Sequence, residues 1–467
     1  MSASSPSTHP RHLPPLAILP VLTALIVAIA AMAAAPAFAA SGETVWSKRF
    51  SSNSRGDAFS SVARGPNRSI YVAGVTKATK NVSTLVLAKY RDDGATARRL
   101  WLRTYRWPGR VGSEAVAIAA DRSGNAIVTG SIGASPLATA KGRDIIVLKY
   151  SASGTRRWAW RYDGPGRRDD YATGLALDRG GNAYVVGASR GAGTGLDYVA
   201  FRFRADGKPL WTVRYEGTSW DEGKAIAVDG KRNAYVTGSS NRSGTSSATT
   251  LKISPSGKRL WVKRVRAGSG DTHGNAIALS SSGGRVYIGG GADGGASNRM
   301  NMLVTKLSAA TGARSWARTI HASGIDIGLD LAVDRSGNAV CVGDTTAATG
   351  VTHGLVARVT AAGSLSWTRE TWLEKPDSKG HLQTVAVSGL GKVYAGGSAA
   401  RAGSGDDFLV QHVLADGSDG WTMWRNGSAS ARDWCRDLVL EQSAVYAVGR
   451  TTSKTGGGDA LLVKIRR

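Results

Sequence analysis

The sequence predicts an all-β fold, an eight-bladed β-propeller of four-stranded antiparallel blades closed by pairing of its N- and C-terminal strands. Three observations predict it: a tryptophan recurring at a near-constant interval, four short apolar segments within each interval, and the same glycine turns between the segments. The tryptophans are Trp46, Trp101, Trp158, Trp211, Trp261, Trp316, Trp367 and Trp421, with spacings from 50 (Trp211 to Trp261) to 57 (Trp101 to Trp158). Periods near 50 residues with β composition mark propeller blades, since helical solenoid repeats run ~33–47 residues and leucine-rich repeats ~20–29. Gly is abundant (60) and Pro scarce (13), while Trp (14) and Tyr (13) outnumber Phe (6). Such a mix suits many short strands joined by glycine turns and excludes a helical bundle.

Within a unit the segments follow a fixed order. Unit four reads Trp211 to Tyr215, Ala225 to Val228, Asn233 to Thr237, then Ala248 to Ile253. Four short strands make one blade. The second segment is small and apolar, as Ala225-Ile226-Ala227-Val228 or Val116-Ala117-Ile118-Ala119, which fits the crowded innermost strand near the axis. The fourth, as Ile145-Ile146-Val147-Leu148, shows no alternation and reads as a strand covered on both faces. The tryptophan segment is then the outermost strand of the preceding blade. Between the second and third segments stand Asp121-Arg122-Ser123-Gly124-Asn125, Asp178-Arg179-Gly180-Gly181-Asn182 and Asp334-Arg335-Ser336-Gly337-Asn338. In each, Asp caps the turn and Gly accepts a positive φ.

This phasing predicts how the ring closes. The last segment, Ala460 to Ile465, has no tryptophan strand after it, and Val45 to Phe50 has no blade before it. Pairing the two leaves no free strand edge. The tryptophans are expected to wedge between blades, each burying ~150–250 Å² with its N–H on a carbonyl.

Ahead of the repeats, Leu16 to Ala35 is uncharged and mostly apolar, and Ala37-Phe38-Ala39 has the small-x-small pattern read by signal peptidase. Residues 1–39 are therefore expected to be a signal peptide, or an uncleaved N-terminal membrane anchor, with 40–467 a single propeller domain that is exported to the extracellular space or cell envelope. Two cysteines, Cys341 and Cys435, fall in units six and eight and are expected to be buried free thiols. Lys and Arg number 60 against 34 Asp and Glu, a formal charge of +26. The positives are scattered through every unit, as on a solvated basic surface, and form no basic array interleaved with aromatics such as nucleic-acid binding requires.

Gly181-Asn182-Ala183-Tyr184-Val185-Val186-Gly187, Asp197-Tyr198-Val199-Ala200 and Gly207 to Tyr215 together resemble the SBBP-type β-propeller repeat of bacterial exported and cell-surface proteins. The resemblance spans Trp46 to Arg467, is strongest in units two to four, and implies a propeller in an extracellular setting without a shared reaction. A lesser similarity, to eight-bladed PQQ-type quinoprotein dehydrogenases, rests on the turns Thr311 to Trp316 and Ser256 to Trp261. The adjacent cysteines those enzymes hold over the quinone have no counterpart here, so no residue is carried over.

Aligned on the innermost strand, Asp57, Asp170, Asp221, Asp326 and Asp433 share one register at the mouth of the channel, with His381 beside it in unit seven and His273 and Asp271 in unit five. Such a carboxylate and imidazole ring would hold a cation, calcium foremost, or a polar ligand. The structural alternative, which the repetition in five units favours, is that each Asp accepts backbone N–H bonds at its turn. The exceptions to the repeat, Glu222, His273, His353 and His381, are the more natural binding residues. His321 and His412 lie elsewhere in the repeat. No Gly-x-Ser-x-Gly, His-Glu-x-x-His or phosphate loop occurs. The leading expectation is a monomeric, non-enzymatic binding or scaffold propeller for an envelope polymer, glycan or protein ligand, with no cofactor. The alternative is a propeller enzyme, either a quinone-dependent dehydrogenase or a carbohydrate-active hydrolase or lyase.

Overall fold

A computed structural model describes residues 41–52, 56–77, 82–110, 112–133, 142–193, 195–216, 219–294, 299–322, 324–371, 379–401, 405–427, 432–452 and 457–467. The expected leader, 1–39, lies outside them. Within Ser41–Arg467 the described residues form eight four-stranded antiparallel sheets arranged as a ring. Blades 1 to 8 begin with β2 (Ala58–Arg64), β6 (Ser113–Ala120), β10 (Asp170–Leu177), β14 (Asp221–Val228), β18 (Thr272–Leu279), β22 (Gly324–Val333), β26 (Gly380–Val387) and β30 (Trp434–Leu440). These first strands touch one another in sequence all round the ring and so surround the axis. The third strands are largely buried, and β8 (Asp144–Tyr150) is buried along its whole length.

The ring closes between its ends. β1 (Thr44–Phe50) pairs antiparallel with β32 (Gly458–Arg466), Trp46 opposite Lys464 and Phe50 opposite Ala460. Within blade 3 the turn from third to fourth strand carries the bonds Gly207 N–H to Arg204 O and Arg204 N–H to Lys208 O. In blade 8 the same turn is split between the two ends of the chain: Gly42 N–H donates to Arg466 O, and Arg466 N–H to Glu43 O. The seam therefore reproduces the turn geometry of a continuous blade without a continuous chain.

Four of the eight seams between blades repeat one arrangement. Lys89 Nζ and Trp101 Nε1 both donate to Ala152 O of the next blade, each at 3.0 Å, and the ammonium lies 5.2 Å from the Tyr71 ring centre. Ala205 O, Ala309 O and Ala361 O receive the matching pairs Lys149 with Trp158, Lys252 with Trp261, and Lys306 with Trp316. Trp367 donates to Ala415 O. The first indole departs from the expected carbonyl, since Trp46 Nε1 donates to Asp92 Oδ1 at 3.1 Å. Trp211 and Trp421 leave a buried N–H without a partner among the described residues. At position 154 only glycine fits: φ is +85° and a Cβ would lie 2.9 Å from the Trp101 ring. Cys341 and Cys435 are buried and unbridged.

Candidate binding mouth

Every first strand carries a β-bulge at the same point, as between Gly223 and Ala225 in blade 4 or Gly328 and Asp330 in blade 6. The two residues ahead of the bulge alternate: the one against it is buried in all eight blades, and the one before that is at least partly accessible in all but Glu222, which is 9% exposed. The pleat thus sends alternate positions to the channel and to the blade interior.

The aligned aspartates fall on an inward position. Asp57, Asp170, Asp221, Asp326 and Asp433 are each 0–1% exposed. Asp57 accepts the Ser52 N–H, Asp170 the Gly164 N–H at 2.6 Å, Asp326 the Ala322 N–H at 2.8 Å, and Asp433 the Gly427 N–H. Thr272 fills the same position in blade 5 and accepts from Ala267 N–H. The structure therefore ties Asp57, Asp170, Asp326, Asp433 and Thr272 singly to the loops that enter their blades. Among the described residues, the one acidic group with ligand atoms within 4.8 Å of one another is Asp144, Asp163 and Asp170, of which only Asp170 belongs to the aligned set.

The neighbouring positions face the channel and do not repeat. Blades 2 to 5 place Glu114, Asp169, Tyr171, Trp220, Glu222 and Asp271 there, and blade 5 adds His273. Blade 6 contributes Ile325, Ile327 and Leu329, and blades 7 and 8 contribute Lys379, His381, Arg432, Trp434 and Arg436. The mouth is therefore acidic and aromatic on one side and cationic on the other, with an aliphatic sector between. Trp220 is 58% exposed and Ile325 50%.

Contacts within the mouth fix its side chains. Glu222 Oε1 accepts from Lys224 Nζ, and Ser239 Oγ lies 3.0 Å from His273 Nδ1. Burial lowers the pKa of His273, against the pull of Asp271, so its imidazole is neutral at pH 7. Burial, reinforced by the Glu222 carboxylate, raises the Tyr171 hydroxyl. Across the channel, the Asp344 carboxylate 3.0 Å from His381 Nδ1 raises that histidine. Trp434 lies between the guanidiniums of Arg436 and Arg450, at 5.1 and 5.3 Å. His353 lies at the same end of blade 6 as Asp326 but two strands out from the axis: it stands on the third strand, β24 (Thr352–Val359), opposite Thr345, which itself pairs with Asp326, and its Nδ1 is 2.7 Å from Glu370 Oε2.

Deeper in the channel two further carboxylates stand just past the bulge. Asp330 accepts the N–H groups of Leu331 and Val385, and Asp437 those of Val62 and the Ser61 hydroxyl. The bulge leaves such N–H groups without a partner in the sheet, and a carboxylate from the preceding blade supplies one. Burial raises both carboxyls to about 6. Both remain partly accessible, so the enclosure comes from protein surrounding a narrow channel and not from complete exclusion of solvent. These acids, together with Trp220, Tyr171, Lys224, Trp434 and Arg436, were missed in the sequence. Their signal was their fixed offset from the aligned aspartates.

The beta-propeller repeat model of the SBBP family matches residues 210–243, the last strand of blade 3 and the first two of blade 4. The chain is an eight-bladed β-propeller, and its residues 210–243 are similar to the SBBP-type repeat. No curated protein sequence matches it. Among solved structures it is similar to Sqt1 from Chaetomium thermophilum, with a TM-score of 0.58 and 10% identity over 91% of this chain and 99% of that one. It is also similar to the periplasmic gluconolactonase PpgL of Pseudomonas aeruginosa, at 0.43 and 13% identity over 66% and 84%. The Sqt1 likeness shows the fold alone.

Proposed function

We propose that this chain is an exported binding propeller whose channel mouth docks a polypeptide segment carrying charges of both signs around an apolar stretch. One observation carries the reading: at the channel-facing positions the eightfold repeat breaks, and the residues there sort into an acidic and aromatic arc, an aliphatic sector and a cationic arc. Positions that hold the fold repeat, as the aligned aspartates do. A position that varies while its neighbours repeat is released from that duty and offers side chains to a partner. Exposed Trp220 and the partly exposed Tyr171 and Trp434 supply the large contact area of interface anchors. Export is supported by the apolar run Leu16 to Ala35 and by Ala37-Phe38-Ala39.

The test is selection from a displayed library of random dodecapeptides against the full chain, at low and raised salt to remove attraction by the net charge of +26. Selected peptides should carry acidic and basic ends flanking aliphatic residues, and should lose binding to Trp220→Ala and Arg436→Ala. Enrichment that survives both substitutions would refute the mouth as the site. A second reading, a hydrolase or lyase, draws on the raised carboxyls of Asp330 and Asp437; glycan cleavage abolished by Asp437→Asn would favour it.

A further inference from the structure

A second cavity opens on the same face, away from the axis, between the loops that enter blades 2 and 3. Its volume is about 850 Å³, in the range of small-molecule sites. Its wall is made of Arg110, Asp144, Arg161, Asp163 and Arg167.

All of these charges but Arg167 are already paired with one another. Arg110 reaches Asp144 Oδ2 at 2.8 Å, Arg161 reaches the same oxygen at 3.0 Å and Asp163 at 3.4 Å. Asp144 is the fixed centre, its side chain 2% exposed, with Arg110 at 14%. Arg161 is steadied by Trp107, whose ring centre lies 5.9 Å from the guanidinium carbon. Behind them, Asp170 is fully buried and accepts the Gly164 N–H.

Two ligand classes fit this wall poorly. A divalent cation at Asp144, Asp163 and Asp170 would meet two guanidiniums already seated on Asp144. An anion would meet the Asp144 carboxylate beside Arg110 and Arg161 and the Asp163 carboxylate beside Arg161, which leaves it Arg167 alone. A neutral polyhydroxylated ligand meets neither obstacle, because each hydroxyl donates to a carboxylate oxygen and accepts from a guanidinium N–H without breaking the pairs. The network is held in place before binding, which lowers the ordering cost.

We propose that this cavity is a binding site for a neutral saccharide, separate from the channel mouth. Vicinal ring hydroxyls bridge the accessible Asp163 and Arg161, which buried Asp144 holds in position, and Arg167 completes the rim. No bond is made or broken. The site does not depend on the mouth reading, and variants of either leave the other intact.

The test is calorimetry of the full chain with maltotriose, cellotriose and chitotriose, with trigalacturonate and calcium chloride as charged probes. At least one neutral trisaccharide should bind with an affinity that changes less than threefold between 50 and 500 mM salt. It should weaken at least tenfold in Asp144→Asn, and severalfold in the exposed rim variant Asp163→Asn, whose fold is not at risk. Trp220→Ala should leave it unchanged. No heat with any neutral trisaccharide, equal affinity in Asp163→Asn, or binding of only calcium or trigalacturonate would overturn the proposal.

Discussion

The seams and the mouth of the ring obey opposite rules. At the seams an indole recurs on the fourth strand of every blade, and in four seams it shares one turn carbonyl with a lysine of the third strand, as Trp101 and Lys89 share Ala152 O. At the mouth the channel-facing residues differ in every blade, while the inward aspartates one residue away repeat. Repetition marks what each blade needs in order to stand beside the next. Departure from it marks what the blades leave to a ligand.

The largest effect is expected at the ring's closure. Deleting Thr44–Phe50 removes Trp46 and leaves β32 as an open edge, so the melting transition should fall sharply and the protein should aggregate; an unchanged melt would mean that the ends do not carry the ring. A smaller effect follows from the channel acids. Asp330 and Asp437 have folded values of about 6 against an ordinary 3.8, so between those pH values the folded chain holds protons that the unfolded chain has released. Their contribution favours the fold at the acid end of this window and is lost as pH rises through 6. The double variant Asp330→Asn, Asp437→Asn should therefore lose part of the rise in melting temperature between pH 7 and pH 5. The smallest effect belongs to a circular permutant that joins Arg467 directly to Ser41 and opens the exposed turn between Ser243 and Gly244. Because the split turn already has the geometry of a continuous one, stability should stay within about 1 kcal/mol of the parent. A large loss would show that the turn needs its break.

The ring itself was legible because its parts repeat. The tryptophan interval, the unbroken apolar fourth segments and the unmatched ends Val45 to Phe50 and Ala460 to Ile465 each predicted a feature found in the structure, the pairing of those two ends among them. The two thiols and the turns of Asp178 with Asn182 were readable for the same reason. The mouth was legible only in part. Glu222, His273 and His381 stood out as exceptions, but Trp220 and Arg436 needed the bulge to show which side of the strand they occupy. The cavity around Asp144 joins residues from three loops and has no signature along the chain. His353 stands level with Asp326, and its distance from the axis follows from strand order and not from register.

The division between seam and mouth is tested most directly by the thermal stability of two tryptophan variants measured side by side. Trp101, 7% exposed and bonded to Ala152 O, belongs to the repeat, and Trp220, 58% exposed, does not. Trp101→Ala should cost ~3–5 kcal/mol, while Trp220→Ala should stay within ~0.5 kcal/mol of the parent. Equal losses in the two variants would contradict the account.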